Sequence, residues 1–239
     1  DHFDVKVAPQ LPHLRAQVVH NDFNPHNILV DAPQAQHPVG LIDFGDMVHT
    51  PLACDLAVAC SYQLGQGADP LQDVCEMVTG FAKRLPGLTW LPSDIDTARR
   101  ASINAHAAEA ALPNIAPALP LDATSPGWAA EHGPFDLIML ANLLHLIPTP
   151  ATQSLITEAA TALAPGGTLI LYGPFKRAGQ TTSPGDTRFD AELRAADPTI
   201  GYKDNIDMAR WLSDAGLSPI DEVDMPANNL AFIARKPSP

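Results

Sequence analysis

The sequence predicts an α/β chain in two dissimilar parts that meet near residue 80. Three observations carry that expectation. Strand-like and helix-like segments alternate from residue 89 to residue 172, the pattern of parallel α/β units. Two apolar segments, Ile220 to Met225 and Leu230 to Arg235, then read as a closing antiparallel pair. The composition also changes: six of the nine histidines lie before residue 50 and all three cysteines before residue 80, whereas Trp90, Trp128 and Trp211 all lie after it.

Taken in order, Gln17 to His20 reads as a short strand and Asn27 to Val30 as a second. Val39 to Phe44 is an apolar run ending in Asp43-Phe44-Gly45-Asp46. Leu52, Leu56, Ala59, Cys60 and Gln63 recur at helical spacing, which predicts a helix over 52–64 stopped by Gly65 and Gly67. A second helix is expected over 71–85. Thr89 to Leu91 is a short strand, Asp96 to Ala111 an alanine-rich helix, and Ile115 to Leu121 and Phe135 to Ala141 are strands. A helix over 150–164 is ended by Pro165-Gly166-Gly167, and Thr168 to Tyr172 is the next strand. Ile206 to Ala215 is a helix ended by Gly216, and Lys236 to Pro239 reads as a frayed tail.

The 239 residues allow one large domain or two small ones. Hydrophobic residues make up 46%, ordinary for a globular chain, and the 24 prolines imply frequent, stiff connections. Lys+Arg 14 against Asp+Glu 27 leaves a net charge of −13. Nonspecific binding to nucleic acid or to an anionic membrane needs a basic surface, so the expected partner is a small molecule. The longest apolar segment, Phe135 to Pro148, is broken by Asp136, Asn142 and His145 and is shorter than the roughly 20 residues of a membrane span. The N-terminus lacks a basic-then-apolar signal pattern, and the opening Asp1 suggests a processed or truncated chain. Cys54, Cys60 and Cys75 are odd in number and form no CxxC, so buried thiols and a cytoplasmic location are expected.

The first chemical constellation is His20-Asn21-Asp22-Phe23-Asn24-Pro25-His26-Asn27, an HxDxxxxN pattern, followed sixteen residues later by Asp43-Phe44-Gly45-Asp46. Phosphoryl transfer needs a carboxylate near the acceptor hydroxyl and oxygen ligands for Mg²⁺ on the nucleotide phosphates. Asp22 suits the first task. Asn27 and Asp43 offer the hard oxygens that Mg²⁺ prefers. These residues, with Leu41 to Leu52, resemble the superfamily of aminoglycoside phosphotransferases, choline kinases and hydroxylysine kinases. That resemblance implies a fragment of a protein-kinase-like C-lobe over residues 1–80 that uses ATP. It makes Asp22 the catalytic base, Asn27 and Asp43 the metal ligands, His20 a prop for the catalytic loop and Asp46 a structural residue. Only nineteen residues precede His20, so the glycine-rich phosphate loop and strand lysine of that superfamily are not in this sequence.

The second constellation is spread over residues 81–239. Arg84 to Asp94, Ala141-Asn-Leu-Leu-His145, Leu171-Tyr-Gly-Pro-Phe-Lys176 and Met225-Pro-Ala-Asn-Asn-Leu230 together resemble a family of class I S-adenosylmethionine-dependent methyltransferase-like proteins whose substrate is unassigned. The resemblance implies an incomplete Rossmann-like sheet. Asp94, ending the second strand of that fold, would accept hydrogen bonds from ribose hydroxyls, and Asp122 would contact adenine. Asn142 and His145 follow the fourth strand, at the edge where ligands sit. His145 has two readings, a catalytic group or a hydrogen-bonded core residue. Tyr172, Lys176 and Arg177 line a substrate mouth or merely solvate a loop. Asn228 and Asn229 are site residues or a β-turn. The first strand and its glycine loop should stand just before Arg84, where the kinase-like segment stands instead. Gly65-Gln66-Gly67 before the 71–85 helix, or Val39 to Phe44 with Gly45, are two candidates to fill that place.

Three functions follow. The lead is a methyltransferase-like protein using S-adenosylmethionine, fused to a kinase-like fragment. The second is a small-molecule phosphotransferase using ATP and Mg²⁺ through Asp22, Asn27 and Asp43. The third is a non-catalytic fusion or truncated remnant.

Overall fold

In the computed structural model the described residues are 16–19, 28–30, 38–41, 48–51, 59–60, 75, 78–80, 82–83, 87–225 and 228–238. The chain separates into two compact units, Leu11–Asp122 and a second built on Ala123–Pro239.

The first unit opens with four short strands, β1 (Ala16–Val19), β2 (Ile28–Val30), β3 (Pro38–Leu41) and β4 (Val48–Pro51). β1 pairs antiparallel with β4, and β2 antiparallel with β3. The two strands expected first are present within a residue or so of their predicted ends. The apolar run from Val39 is strand in its described part, to Leu41, its remainder lies outside the described residues, and β4 was not expected. Of the two helices expected next, residues 59–60 are helical in one and residues 75, 78–80 and 82–83 in the other.

A parallel pair follows, β5 (Ser93–Asp94) and β6 (Leu119–Pro120), joined through α1 (Thr97–Ala110). The strand expected at Thr89 to Leu91 is a single bridge, Trp90 to Ile115, and the ladder proper begins at Ser93. Asp96 caps α1 by accepting from the Arg99 N–H at 2.8 Å, and Ala111 ends it in the left-handed region at φ 51°. The pair is tied by asparagines. Asn114 Nδ2 donates to the carbonyls of Ala82 and Leu88, both at 3.0 Å, and Asn104 Oδ1 accepts from the Ala118 N–H at 2.8 Å.

The second unit holds the larger sheet. Its strands are β7 (Phe135–Ala141), β8 (Leu163–Pro174), β9 (Ile220–Asp224) and β10 (Asn229–Arg235), in the spatial order β7-β8-β10-β9. β7 and β8 are parallel, and β10 runs antiparallel to both β8 and β9. Between them stand α2 (Thr149–Ala162), α3 (Pro184–Ala196) and α4 (Asn205–Asp214). The central strands are buried on both faces, which explains the unbroken apolar runs Leu169–Tyr172 and Leu230–Ala234. α2 buries Thr152, Leu155, Ile156, Ala159 and Ala160, an i, i+3, i+4, i+7 stripe. Met208 and Leu212 of α4 enter the same core, where Phe175 meets Phe232 edge to face at 5.0 Å. Lys236 closes the unit: its ammonium donates to the carbonyls of Thr161 and Leu163 at the end of α2, at 2.9 and 2.7 Å.

Candidate functional site

In a parallel sheet the carboxyl ends of the strands collect ligands, because helix N-termini and loop backbone converge there. β7 ends at Ala141, and Asn142 turns the chain with φ 54°. Asparagine tolerates the left-handed region better than other non-glycine residues. Its N–H still donates to the Tyr172 carbonyl at 2.9 Å, so the ladder between β7 and β8 runs to its last residue. The 3₁₀ turn Leu144–Leu146 follows and carries His145.

His145 is buried, 7% exposed. Its ring meets Phe189 at 5.9 Å and Tyr202 at 6.1 Å, both edge-on. Burial, reinforced by the Lys203 ammonium, lowers its pKa to about 4, so the imidazole is neutral at pH 7. Its carbonyl accepts from the Gly201 N–H at 3.0 Å. Gly201 has φ 121°, and a Cβ there would stand 2.6 Å from Asp190 Oδ1 and 2.8 Å from Arg194 Nη2, so only glycine fits.

Behind Gly201 lies a charged cluster that sequence reasoning did not find. Asp190, on α3, is buried. It takes the Lys176 ammonium at 2.8 Å, the Arg194 Nε at 3.1 Å and the Tyr202 N–H at 2.7 Å. Burial alone would raise its pKa, but hydrogen bonds from Lys176, Arg194 and the Tyr202 backbone outweigh it and hold the carboxyl below its usual range. The Asp190–Arg194 spacing of four was visible in the sequence; nothing in the sequence marked Asp190 as buried.

The other predicted residues fall as follows. Tyr172 is buried, and its hydroxyl accepts from Asn229 Nδ2 at 2.9 Å across the β8–β10 pair. Arg177 serves as a staple, donating to the carbonyls of Phe175, Asn228 and Asn229 and to Asp224 Oδ1. Asn228, at φ 63°, makes the turn into β10. Asn142, His145, Tyr172 and Asn229 thus share the second unit, while Asp94 and Asp122 belong to the first. Asp94 ends β5; its Oδ1 accepts from the Asp96 N–H at 2.7 Å, and Arg99 stands 3.8 Å from its Oδ2. Asp122 lies two residues past β6. His20, Asp22, Asn27, Asp43 and Asp46 lie outside the described residues, as do the Gly65–Gly67 and Gly45 turns. Cys60 and Cys75 are free thiols, and burial, with Cys75 adding to it, pushes Cys60 up to about 12.

Residues 75–236 match the family described as protein of unknown function DUF938. The chain belongs to that family. Solved structures show what fold this DUF938 chain carries. It superposes on an O-methyltransferase family protein from Burkholderia thailandensis with a TM-score of 0.58 at 19% identity, covering 68% of this chain and 48% of that one. For an O-methyltransferase from Nostoc punctiforme described as putative in its source, the values are 0.56 and 17%, covering 76% and 59%. PigF, solved with SAH, gives 0.57 and 13%, covering 71% and 49%. The fold is therefore of the methyltransferase type. Residues 3–86 match a second family, the phosphotransferase enzymes. Over 90 residues the chain is 32% identical to hydroxylysine kinase of Mus musculus, which is 35% of this chain and 24% of the kinase. The DUF938 chain thus spans about a quarter of the length of that curated relative.

Proposed function

We propose that this chain is a class I S-adenosylmethionine-dependent methyltransferase-like protein joined to a kinase-like fragment. On this reading residues 1–80 are the phosphotransferase-derived part. Residues 81–239 are the methyltransferase-like domain, without its first strand and glycine loop. The observation that carries it is the sheet: parallel β7 and β8, then antiparallel β10 and β9, with left-handed Asn142 at the carboxyl edge.

The donor chemistry suits the cofactor. Asp94 ends a parallel strand with one carboxylate oxygen committed to its own turn and the other facing no closer donor than Arg99 among the described residues. A carboxylate so placed accepts ribose hydroxyls. Asp122 would contact adenine, and Asn142 would present backbone and amide at the transfer edge. S-adenosylmethionine, when bound, supplies a methyl group activated on sulfonium. His145 has so low a pKa that it is a weak base, so its part is to hold the acceptor as a neutral hydrogen-bonding group, and transfer rests mainly on positioning. The acceptor is a small molecule, since the net charge of −13 disfavours nucleic acid and anionic membranes. Among the described residues no helix is long and apolar enough to cross a membrane. The free thiols suit a reducing cytoplasm.

The likeness to hydroxylysine kinases favours a second reading, ATP-dependent phosphorylation of an alcohol with Asp22 as base and Asn27 and Asp43 as hard-oxygen ligands for Mg²⁺. Calorimetry separates the two. Micromolar binding of S-adenosylhomocysteine, lost in Asp94→Ala, is the result expected of a methyltransferase. Heat only with ATP–Mg²⁺, lost in Asp22→Ala, moves the function to the first part. Silence from both in a folded sample leaves a non-catalytic fusion or remnant.

A further inference from the structure

A cavity of about 540 Å³ opens in the second unit beside the buried charge cluster. Its volume lies in the range of small-molecule sites. Three cations line it: Lys176, Arg194 and Lys203. Lys176 is matched by Asp190. Arg194 spends Nε on Asp190 and Nη2 on the Tyr202 carbonyl, which leaves Nη1. Lys203 differs from both. It is buried, 5% exposed, and its ammonium donates to the carbonyls of Ile147 at 2.7 Å and Gly201 at 2.9 Å. Among the described residues no carboxylate bonds this ammonium directly; burial and the nearby Arg194 lower its pKa to about 8, against a smaller opposing pull from Asp190.

The acids on the same wall are already committed. Asp204 caps α4, accepting from the Ile206 N–H at 3.0 Å and from the Gly179 N–H. Asp207 pairs with Arg210 at 2.6 Å. Trp211 and Ile206, which is 61% exposed, add an apolar face to the cavity. One free N–H on Lys203 and the N–H groups of Arg194 Nη1 offer donors to the two oxygens of a carboxylate. With Ile206 and Trp211 beside them, these donors fit an organic acid better than inorganic phosphate.

We propose that this cavity binds a small organic acid, its carboxylate against Lys203 and Arg194 and its apolar body against Ile206 and Trp211. The binding stands apart from methyl transfer and needs no cofactor. If transfer does occur, it narrows the acceptor to a carboxylate-bearing compound.

The test is calorimetry on the full chain with 2-naphthoate, its neutral isostere 2-naphthamide, and inorganic phosphate. Naphthoate is expected to bind at least tenfold more tightly than either of the others. Lys203→Met should weaken naphthoate tenfold or more. Ile206→Glu, on an exposed position that folding does not need, should weaken it similarly by repelling the carboxylate, so the test holds even if the lysine variant does not fold. No naphthoate binding, equal binding of the amide, or unchanged affinity in Ile206→Glu overturns the proposal. Those results bear on this cavity alone, as S-adenosylhomocysteine binding bears on Asp94.

Discussion

α1 and α2 are both fourteen residues long, and both link strands of parallel pairs, yet α1 buries no residue and α2 buries six. They are helices for different reasons. α1 is alanine-rich and capped by Asp96, so propensity and capping hold it. α2 has no side-chain cap and is held by its apolar stripe. The strands differ in the same sense: β5 and β6 have two residues each, whereas β8 has twelve. The second unit is thus supported by its own core. The stretch that carries Asp94 is supported by asparagine ties and a cap.

The contrast predicts a graded series of losses. The largest belongs to the α2 stripe: Leu155→Ala should cost about 4 kcal/mol in urea unfolding, and Ile103→Ala in α1 under about 1 kcal/mol. Equal costs would erase the distinction between the helices. Asp190→Asn comes next, at about 3 kcal/mol, because Lys176 and Arg194 are left facing a neutral amide.

Acid should then weaken the second unit through His145. Its folded pKa is about 4, below the unfolded value of 6.5, so between those pH values the unfolded state binds the proton and the folded state does not. Stability is therefore lost as pH falls from about 6.5 to about 4, by about 3 kcal/mol. Asp190 adds a loss at still lower pH, as its depressed carboxyl finally protonates. A His145→Gln chain that keeps the full loss between pH 6.5 and 4 would assign it elsewhere. Another small effect lies in the first unit: Asp96→Ala should cost about 1 kcal/mol, read as loss of helical signal over α1.

Legibility in the sequence follows the same physics. β7 was readable to the residue, and α2 and α4 nearly so, because burial writes a period into the apolar residues. α3 was missed. Its one buried residue is Asp190, so it has no apolar stripe, and Pro184-Gly185 reads as a turn. The signal that was present is the cap: Ser183 Oγ accepts from the Asp186 N–H at 3.1 Å and donates to Asp186 Oδ2 at 2.7 Å. The place of Asn142 and His145 at the end of β7 was legible, since they follow an apolar strand. The Asp190, Tyr202 and Lys203 cluster was not, since buried charge looks like surface charge in a sequence.

The account's central claim is that Asp94, at the end of β5, accepts the ribose hydroxyls of a nucleoside ligand. Amide NMR of the ¹⁵N-labelled chain during titration with S-adenosylhomocysteine tests it most directly. The account predicts saturable shifts at Asp94 to Asp96, lost in Asp94→Ala. Shifts confined to His20 to Asp46, or none at all in a folded sample, would contradict it.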